Sequence, residues 1–282
     1  MDENGETNTR MCIKITVGAI VDFLVREHLA INGESKRQYD RNKTVTGVIE
    51  HTKALPGEIS WLSEYDGDAI KNFDGSLLIS PPIKTPYKTP IVQCKNPKLA
   101  MAMVLNKFFA AGNEQPVRWL QRSPLINWED STIQNVEVGS NVVIGPNCCI
   151  GIAGQGYAKS DNEYYHFPHL GKVIIGDDVA IGANTVICRG ALSDTVIGKG
   201  TKIGNQVNIG HNVKIGKNVM IIAGAVICGS VEIGDNAWIG PGAKILNKVK
   251  IGKGARVGIG SVVIKDIPEN KTAIGNPARI IR

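Results

Sequence analysis

The sequence predicts a parallel β-solenoid of hexapeptide repeats over residues 123–266, preceded by a separate α/β domain over residues 13–112. The first observation is a period of six: from Ile197 to Val263, every sixth residue is Ile or Val, twelve in succession. The second is that the residue two positions earlier, from Val207 to Ser261, is small or β-branched. Neither a helical stripe nor strand alternation gives this period, whereas a hexapeptide solenoid does.

Glycine follows most of these Ile residues, where a tight turn favours a residue without a Cβ. In such a solenoid a short strand spans each hexad, and three hexads close one triangular coil of about 18 residues. An earlier run, from Val138 to Ile150 and then from Ile175 to Ile187, carries the same phase. The repeat is interrupted between Ile150 and Ile175 and again between Ile187 and Ile197. Such loops on a rigid scaffold often carry function.

The remaining segments predict the other elements in order. Residues 1–12 are polar and are expected to form a disordered tail. VGAIVDFLVREHL and PKLAMAMVLNKFF have helical periodicity, SLLIS and PIVQ are typical of short strands, and AAGNEQP is typical of a linker. Residues 267–282 leave the hexad through two prolines and are expected to cap the open end of the solenoid.

Composition excludes several classes of function. A net charge of +6 with 5% aromatic residues argues against single-stranded nucleic-acid binding and suits small acidic ligands. The six cysteines show neither zinc-site spacing nor a disulfide pattern, so we expect no metal and reduced thiols.

The polar N-terminus lacks a secretory signal, and the apolar runs are far shorter than the ~20 residues of a membrane span. A soluble, cytoplasmic protein is expected.

One histidine interrupts the repeat in the stretch VNIGHNVKIG. His211 is the second residue after Ile209, a turn position that points outward, and the matching position 18 residues later is Gly229. An imidazole can serve as general base at neutral pH, and a bare glycine amide can stabilise an oxyanion. This pair suits acyl transfer by direct attack of the acceptor. A solvated corner histidine without chemistry remains the alternative.

The segment from GQGYA to RGALSDTVIG and IGHNVKIG resembles the UDP-3-O-acylglucosamine N-acyltransferases of lipid A synthesis. GVIEHTKALPGEISWLSEY is similar to the uridine-binding domain of that family. The resemblance covers residues 40–260 and implies a left-handed parallel β-helix, a homotrimer and active sites between adjacent subunits. The left hand is an exception to the usual right-handed crossover of parallel strands.

Carried over residue by residue, the resemblance makes His211 the general base, Gly229 the oxyanion donor and Trp61 the aromatic that stacks on uracil. Further substrate-binding positions fall on Glu64, Gln155, Tyr157, Arg189, Asp194, Asn205 and Asn208. Two of these depart from the family pattern, because Glu64 replaces an Asn and Gln155 replaces an apolar residue. Lys248 stands where the family has a second histidine.

The C-terminal region also departs from the family. AIGNPARIIR resembles the ending of sugar acetyltransferases that use acetyl-CoA, so we expect no helical extension of the kind that binds acyl carrier protein. We therefore expect Lys248, Lys253 and Arg256 to bind the donor, in a basic cluster for CoA phosphates. A solvated basic face is the alternative. The cluster as a whole is Lys244, Lys248, Lys250, Lys253, Arg256 and Arg279.

These observations favour an N-acyltransferase that acylates the amino group of a UDP- or dTDP-linked amino sugar. The co-substrate is expected to be acetyl-CoA or a longer acyl-CoA, with no permanently bound cofactor. Two alternatives stay open. One is the lipid A enzyme with an acyl carrier protein donor. The other is a non-catalytic trimeric binding or assembly protein whose long loop, with Tyr164, Tyr165, His166 and His169, contacts a partner.

Overall fold

In the computed structural model, the described residues are 15–30, 39–83, 89–109 and 131–281, together with the backbone of 118–119. The predicted tail over residues 1–12 and the linker AAGNEQP lie outside them. The chain forms two compact units. One comprises residues 1–108 with 158–165, and the other comprises residues 109–157 with 166–282.

The N-terminal unit is an α/β structure around a four-stranded parallel sheet of order β1-β2-β3-β4. Thr16 caps the first helix, whose apolar residues recur at helical spacing and are buried. Asn96 caps the third helix, with Pro97 at its first position. The elements are α1 Val17–Arg26, β1 Gly47–Val48, a 3₁₀ turn His51–Lys53, β2 Glu58–Trp61, α2 Gly67–Lys71, β3 Leu77–Ser80, β4 Ile91–Gln93, α3 Pro97–Val104 and a π-helical turn Leu105–Phe109.

The second unit is the predicted solenoid, and its strands are mostly two residues long. They are β5 Arg118–Trp119, β6 Thr132–Ile133, β7 Val136–Val138, β8 Val143–Ile144, β9 Cys149–Ile152, β12 Val173–Ile175, β13 Ala180–Ile181, β14 Val186–Cys188, β15 Thr195–Ile197, β16 Lys202–Ile203, β17 Asn208–Ile209, β18 Lys214–Ile215, β19 Met220–Ile221, β20 Val226–Ile227, β21 Glu232–Ile233, β22 Trp238–Ile239, β23 Lys244–Ile245, β24 Lys250–Ile251, β25 Arg256–Val257, β26 Val262–Val263, β27 Thr272–Gly275 and β28 Ala278–Ile280. The first interruption contains a hairpin, β10 Tyr157–Ser160 and β11 Glu163–His166, whose residues 158–165 belong to the N-terminal unit.

Three sheets form the sides of the coil. Sheet 1 has the order β5-β7-β12-β15-β18-β21-β24, sheet 2 runs from β8 through β13, β16, β19, β22, β25 and β27 to β28, and sheet 3 has the order β6-β9-β14-β17-β20-β23-β26. Each strand of the uninterrupted coils pairs in parallel with the strand 18 residues on, as Asn208 pairs with Val226 and Ile209 with Ile227. The predicted coil of three hexads is confirmed.

The core is a column of stacked isoleucines. The twelve residues at the sixth-residue positions from Ile197 to Val263 are all buried, each at most 4% exposed. Full burial of an Ile stabilises the fold by roughly 1.5–3 kcal/mol before the entropy cost. The ladder ends at β27, because β28 returns antiparallel to it.

Candidate functional site

His211 lies at the corner where the chain passes from sheet 3 to sheet 1, between β17 and β18. We call this the histidine corner. The first interruption leaves between β9 and β12 and the second between β14 and β15, so both leave the solenoid at this same corner. Folding thus brings the two interrupting loops to the corner that carries His211, although they lie at different distances from His211 in the sequence.

Asn212 fixes the tautomer of His211. Its Oδ1 lies 2.8 Å from His211 Nδ1 and accepts a hydrogen bond from Ala191 N–H at 3.0 Å. An amide oxygen only accepts, so Nδ1 carries the ring proton and Nε2 keeps its lone pair. A half-buried imidazole in this state is ready to take a proton at Nε2.

Further hydrogen bonds hold Asn212 itself. Its Nδ2 donates to both the carbonyl and the hydroxyl of Ser193 at 2.9 Å, and its backbone N–H donates to Thr195 Oγ1 at 2.9 Å. Asn212 adopts the left-handed conformation (φ 62°), which asparagine tolerates better than most residues. Sequence reasoning missed Asn212. The sequence does contain one indication, since the residue directly after His211 has an amide side chain that can both donate and accept hydrogen bonds.

Gly229 lies one coil beyond His211, with an open amide. A Cβ at this position would lie 2.7 Å from His211 Nε2, too close for a side chain. Its φ lies outside the left-handed region, so the backbone itself does not require glycine. Within the described part of the chain its N–H has no hydrogen-bond partner. The geometry places the imidazole ring of His211 against Gly229, whose N–H is unbonded within the described part of the chain.

A second imidazole, His169, contacts His211. The two ring centroids are 5.2 Å apart with the planes at 80°, an edge-to-face arrangement. His169 is 2% exposed, and burial, reinforced by His211, lowers its pKa to about 4. The ring of His166 stacks on that of His169 with the centroids 6.3 Å apart, and the centroids of the Tyr157 and His166 rings are 5.5 Å apart. The sequence analysis placed His169 only in a loop and assigned it no part in the site.

Several predicted substrate-binding residues lie on the loops of the histidine corner. Arg189 begins the second interruption, and its N–H donates to Ile152 O at 2.9 Å. Asp194 ends that loop and accepts from Lys172 N–H at 2.9 Å. Gln155 and Tyr157 lie exposed on the first loop. Their binding roles stay predictions.

Other predicted residues lie elsewhere. Asn205 is at the corner between sheets 2 and 3, where its Oδ1 accepts from Ala183 N–H at 2.9 Å. Asn208 is exposed on β17 within sheet 3. In the N-terminal unit, Trp61 ends β2 half-buried, and Glu64 is exposed three residues further on.

The three predicted donor-binding residues do not form one cluster within this chain. Lys248 is at the histidine corner, two coils beyond Asn212, and its N–H donates to Gly229 O at 3.0 Å. Lys253 lies at the corner between sheets 1 and 2. Arg256 lies on sheet 2, 5.0 Å from the centre of the Trp238 ring. A six-residue period distributes successive hexads over the three sides of the coil, so these residues of the last coils face different sides. Their donor-binding role stays a prediction.

The described residues offer neither a metal-binding cluster nor a membrane-spanning helix. No group of three or more His, Cys, Asp or Glu residues among them could hold a metal ion. None of the helices over these ranges has the length and apolar character needed to cross a membrane.

The fold and the corner together define a class: a hexapeptide-repeat β-helix with a base and an amide donor on its surface. The family model described as bacterial transferase hexapeptide (six repeats) matches residues 194–229 and 230–265. The UDP-3-O-acylglucosamine N-acyltransferase of Methylorubrum populi is 41% identical over 100 residues, which is 36% of this chain and 28% of that protein. UDP-3-O-acylglucosamine N-acyltransferase 2 of Legionella pneumophila (strain Paris) is 52% identical over 66 residues, 23% of this chain and 19% of that protein.

Among solved structures, the UDP-N-acetylglucosamine acyltransferase of Bacteroides fragilis matches with a TM-score of 0.50 at 20% identity. It covers 60% of this chain and 70% of that one. This likeness is one of fold and agrees with the predicted left-handed parallel β-helix. The matches span less than a third of the length of the two curated relatives. The chain therefore carries bacterial transferase hexapeptide repeats, and over about a third of its length it is similar to UDP-3-O-acylglucosamine N-acyltransferases.

Proposed function

We propose that this chain transfers an acyl group from an acyl thioester to the amino group of a nucleotide-linked amino sugar. One observation carries the proposal: the Nε2 atom of His211 lies against Gly229, where a Cβ would be 2.7 Å away, while Asn212 holds the opposite ring nitrogen. The names of the related proteins supply the reaction class.

The proposed chemistry uses His211 and Gly229, which occupy matching positions on successive coils. The sugar amine attacks the thioester carbonyl carbon while His211 Nε2 takes a proton from the nitrogen. The N–H of Gly229 donates to the oxyanion of the tetrahedral intermediate. When the C–S bond breaks, the imidazolium returns the proton to the leaving thiolate, and the products are an amide and a free thiol. Asn212 keeps the proton on Nδ1 throughout.

The nucleotide is the least constrained part of the proposal. Trp61 ends a strand of the N-terminal unit half-buried, which suits stacking on a base. We propose UDP or dTDP as the carrier and a homotrimer as the assembly. The trimer is tested by measuring the molar mass in solution by light scattering, and a monomer at micromolar concentration would contradict it.

The direct experiment combines acyl donors with amino-sugar acceptors. Acetyl-CoA, a longer acyl-CoA and an acylated carrier protein are each incubated with UDP- and dTDP-amino sugars, and products are followed by mass spectrometry. We expect one combination to form an amide, and His211→Ala to lower its rate by about 10²- to 10⁴-fold. His51→Ala, a half-buried histidine of the N-terminal unit, is the matched control. Full turnover by folded His211→Ala protein would refute the mechanism.

A second candidate is the lipid A reaction itself, with a UDP-3-O-acylglucosamine acceptor and an acyl carrier protein donor. The names of the curated relatives favour this acceptor. Lys248, which lies two coils beyond the histidine, suits a phosphate of either a CoA or a carrier-protein prosthetic group. Competition between the two donors at equal concentration decides between the candidates.

A further inference from the structure

The Nε2 atom of His169 is a buried acceptor without a hydrogen-bond partner in the described chain. A buried polar atom left unpaired destabilises a fold, and such atoms are rare in native structures. Because His169 lies next to His211, a functional role would explain why this unpaired nitrogen is present despite its cost in stability.

The state of this atom follows from its neighbours. His169 Nδ1 lies 3.0 Å from the carbonyl oxygen of Phe167, which only accepts, so Nδ1 carries the proton. Burial keeps the ring neutral, with a pKa of about 4, at physiological pH. Nε2 therefore presents a lone pair, and only a donor such as an N–H or O–H group can satisfy it.

Gly154 links this lone pair to the histidine corner. A Cβ on Gly154 would lie 3.1 Å from His169 Nε2 and 3.1 Å from His211 Cδ2, so one glycine contacts both rings. A Cβ on Gly156 would lie 2.7 Å from His169 Cε1. In the described chain the backbone of Gly154 forms one hydrogen bond, accepted from Gly156 N–H at 3.0 Å. On either side, Ile152 O accepts from Arg189 N–H at 2.9 Å and Gly156 O accepts from Phe167 N–H at 2.7 Å. The turn at Gly154 is therefore anchored at its ends, and Gly154 itself forms no backbone bond to another segment within the described chain.

We propose that His169 determines acceptor specificity: when the acceptor displaces the Gly154 segment, an N–H or O–H group of its sugar donates to His169 Nε2. This rests on the proposed function and adds the residue that recognises the acceptor. The contact would hold the sugar with its amine beside His211 Nε2, since the two rings touch. His169 makes no bond to the acyl group, so recognition of the donor does not depend on it.

Two variants of His169 separate acceptor recognition from packing. Leucine fills the site without an acceptor atom, and glutamine restores one. We expect His169→Leu to raise the KM for the amino sugar roughly three- to tenfold, the value of one neutral hydrogen bond, with the KM for the acyl donor unchanged. His169→Gln should recover most of the loss. His166→Gln, on the exposed neighbouring ring, is the control and should change neither KM. Equal KM values for wild type and folded His169→Leu would overturn the proposal.

A spectroscopic experiment does not depend on turnover. In ¹⁵N-histidine-labelled wild-type protein, a bare imidazole nitrogen resonates far downfield, and addition of UDP-glucosamine should move the His169 Nε2 signal upfield as it accepts a hydrogen bond. No movement of this signal overturns the proposal. If the signal moves but no acyl transfer occurs with any donor, the acceptor site stands and the proposed function fails. If transfer occurs without the movement, the reverse holds.

Discussion

The histidine corner and the other two corners are built from the same hexapeptide, yet within the described residues only the first carries an imidazole in a turn of the repeat. At two turns of the other corners, a side chain of the next coil accepts a hydrogen bond from a backbone N–H of the preceding turn. Asn205 accepts from Ala183 N–H, and Asp235 accepts from Lys217 N–H at 2.7 Å. At the histidine corner Asn212 accepts from Ala191 N–H in a similar way, but the position one coil beyond His211 is Gly229, which has no side chain. This turn therefore differs from the others by one imidazole and one missing side chain.

The largest expected effect concerns the buried imidazole at this corner. Folding lowers the pKa of His169 from 6.5 to about 4, so the folded state binds fewer protons than the unfolded state between these values. The stabilisation by neutral His169 is therefore complete above about pH 6.5 and is lost as the pH falls towards 4. The loss amounts to about 3 kcal/mol of unfolding free energy.

Urea unfolding of wild type and His169→Gln across this range measures the effect. The difference in unfolding free energy between the two proteins should vary with pH as stated, because other titrating groups cancel. A difference that stays constant from pH 7 to pH 4 would show that His169 titrates normally in the fold.

Placing a side chain above His211 should give the next largest effect. Gly229→Ala puts a methyl group about where Nε2 must meet the substrate amine, and we expect kcat/KM to fall about 100-fold. The fold should persist, because φ at Gly229 lies outside the left-handed region and the three atoms nearest the new Cβ all belong to the His211 ring, which can turn away. Gly47→Ala, where the new Cβ meets nothing closer than 3.5 Å, is the control. An active Gly229→Ala enzyme would mean that the acceptor approaches from another side.

Removing the partner of Nδ1 should have a smaller effect. Asn212→Gly keeps the left-handed turn but frees the ring to change tautomer and orientation, so we expect about a tenfold loss in kcat. Ser230→Gly changes the same turn position one coil further on (φ 60°) and should leave kcat within twofold. Equal rates for the two variants would show that the tautomer is fixed by something other than Asn212.

The smallest effect is expected at an ordinary corner. Asp235→Ala removes the cap of Lys217 N–H and should lower the unfolding free energy by about 1 kcal/mol, with acyl transfer unchanged. Thermal unfolding and the transfer assay measure the two quantities on the same sample. A loss of activity without a loss of stability would contradict the division between structural and functional corners.

Sequence periodicity determined the solenoid. A strict period of six fixes which residues face inward, and a coil of 18 makes residue i contact residue i + 18, as His211 and Gly229 do. The helices and strands of the N-terminal unit also follow from local patterns, since Thr16 and Asn96 cap helices whose apolar stripes are buried. These features depend on neighbours at a fixed spacing, and a single sequence shows that spacing.

The tertiary structure alone decided which loop residues join the site and which basic residues meet. His169 and Ser193 reach His211 and Asn212 through interruptions of irregular length, where the repeat no longer assigns a residue to a position. The predicted donor-binding residues of the last coils face different sides of the coil, because consecutive hexads occupy different sheets. The periodicity of the sequence specifies the solenoid. The contacts that the interrupting loops make with His211 and Asn212 have no fixed spacing in the sequence, so only the folded chain defines them.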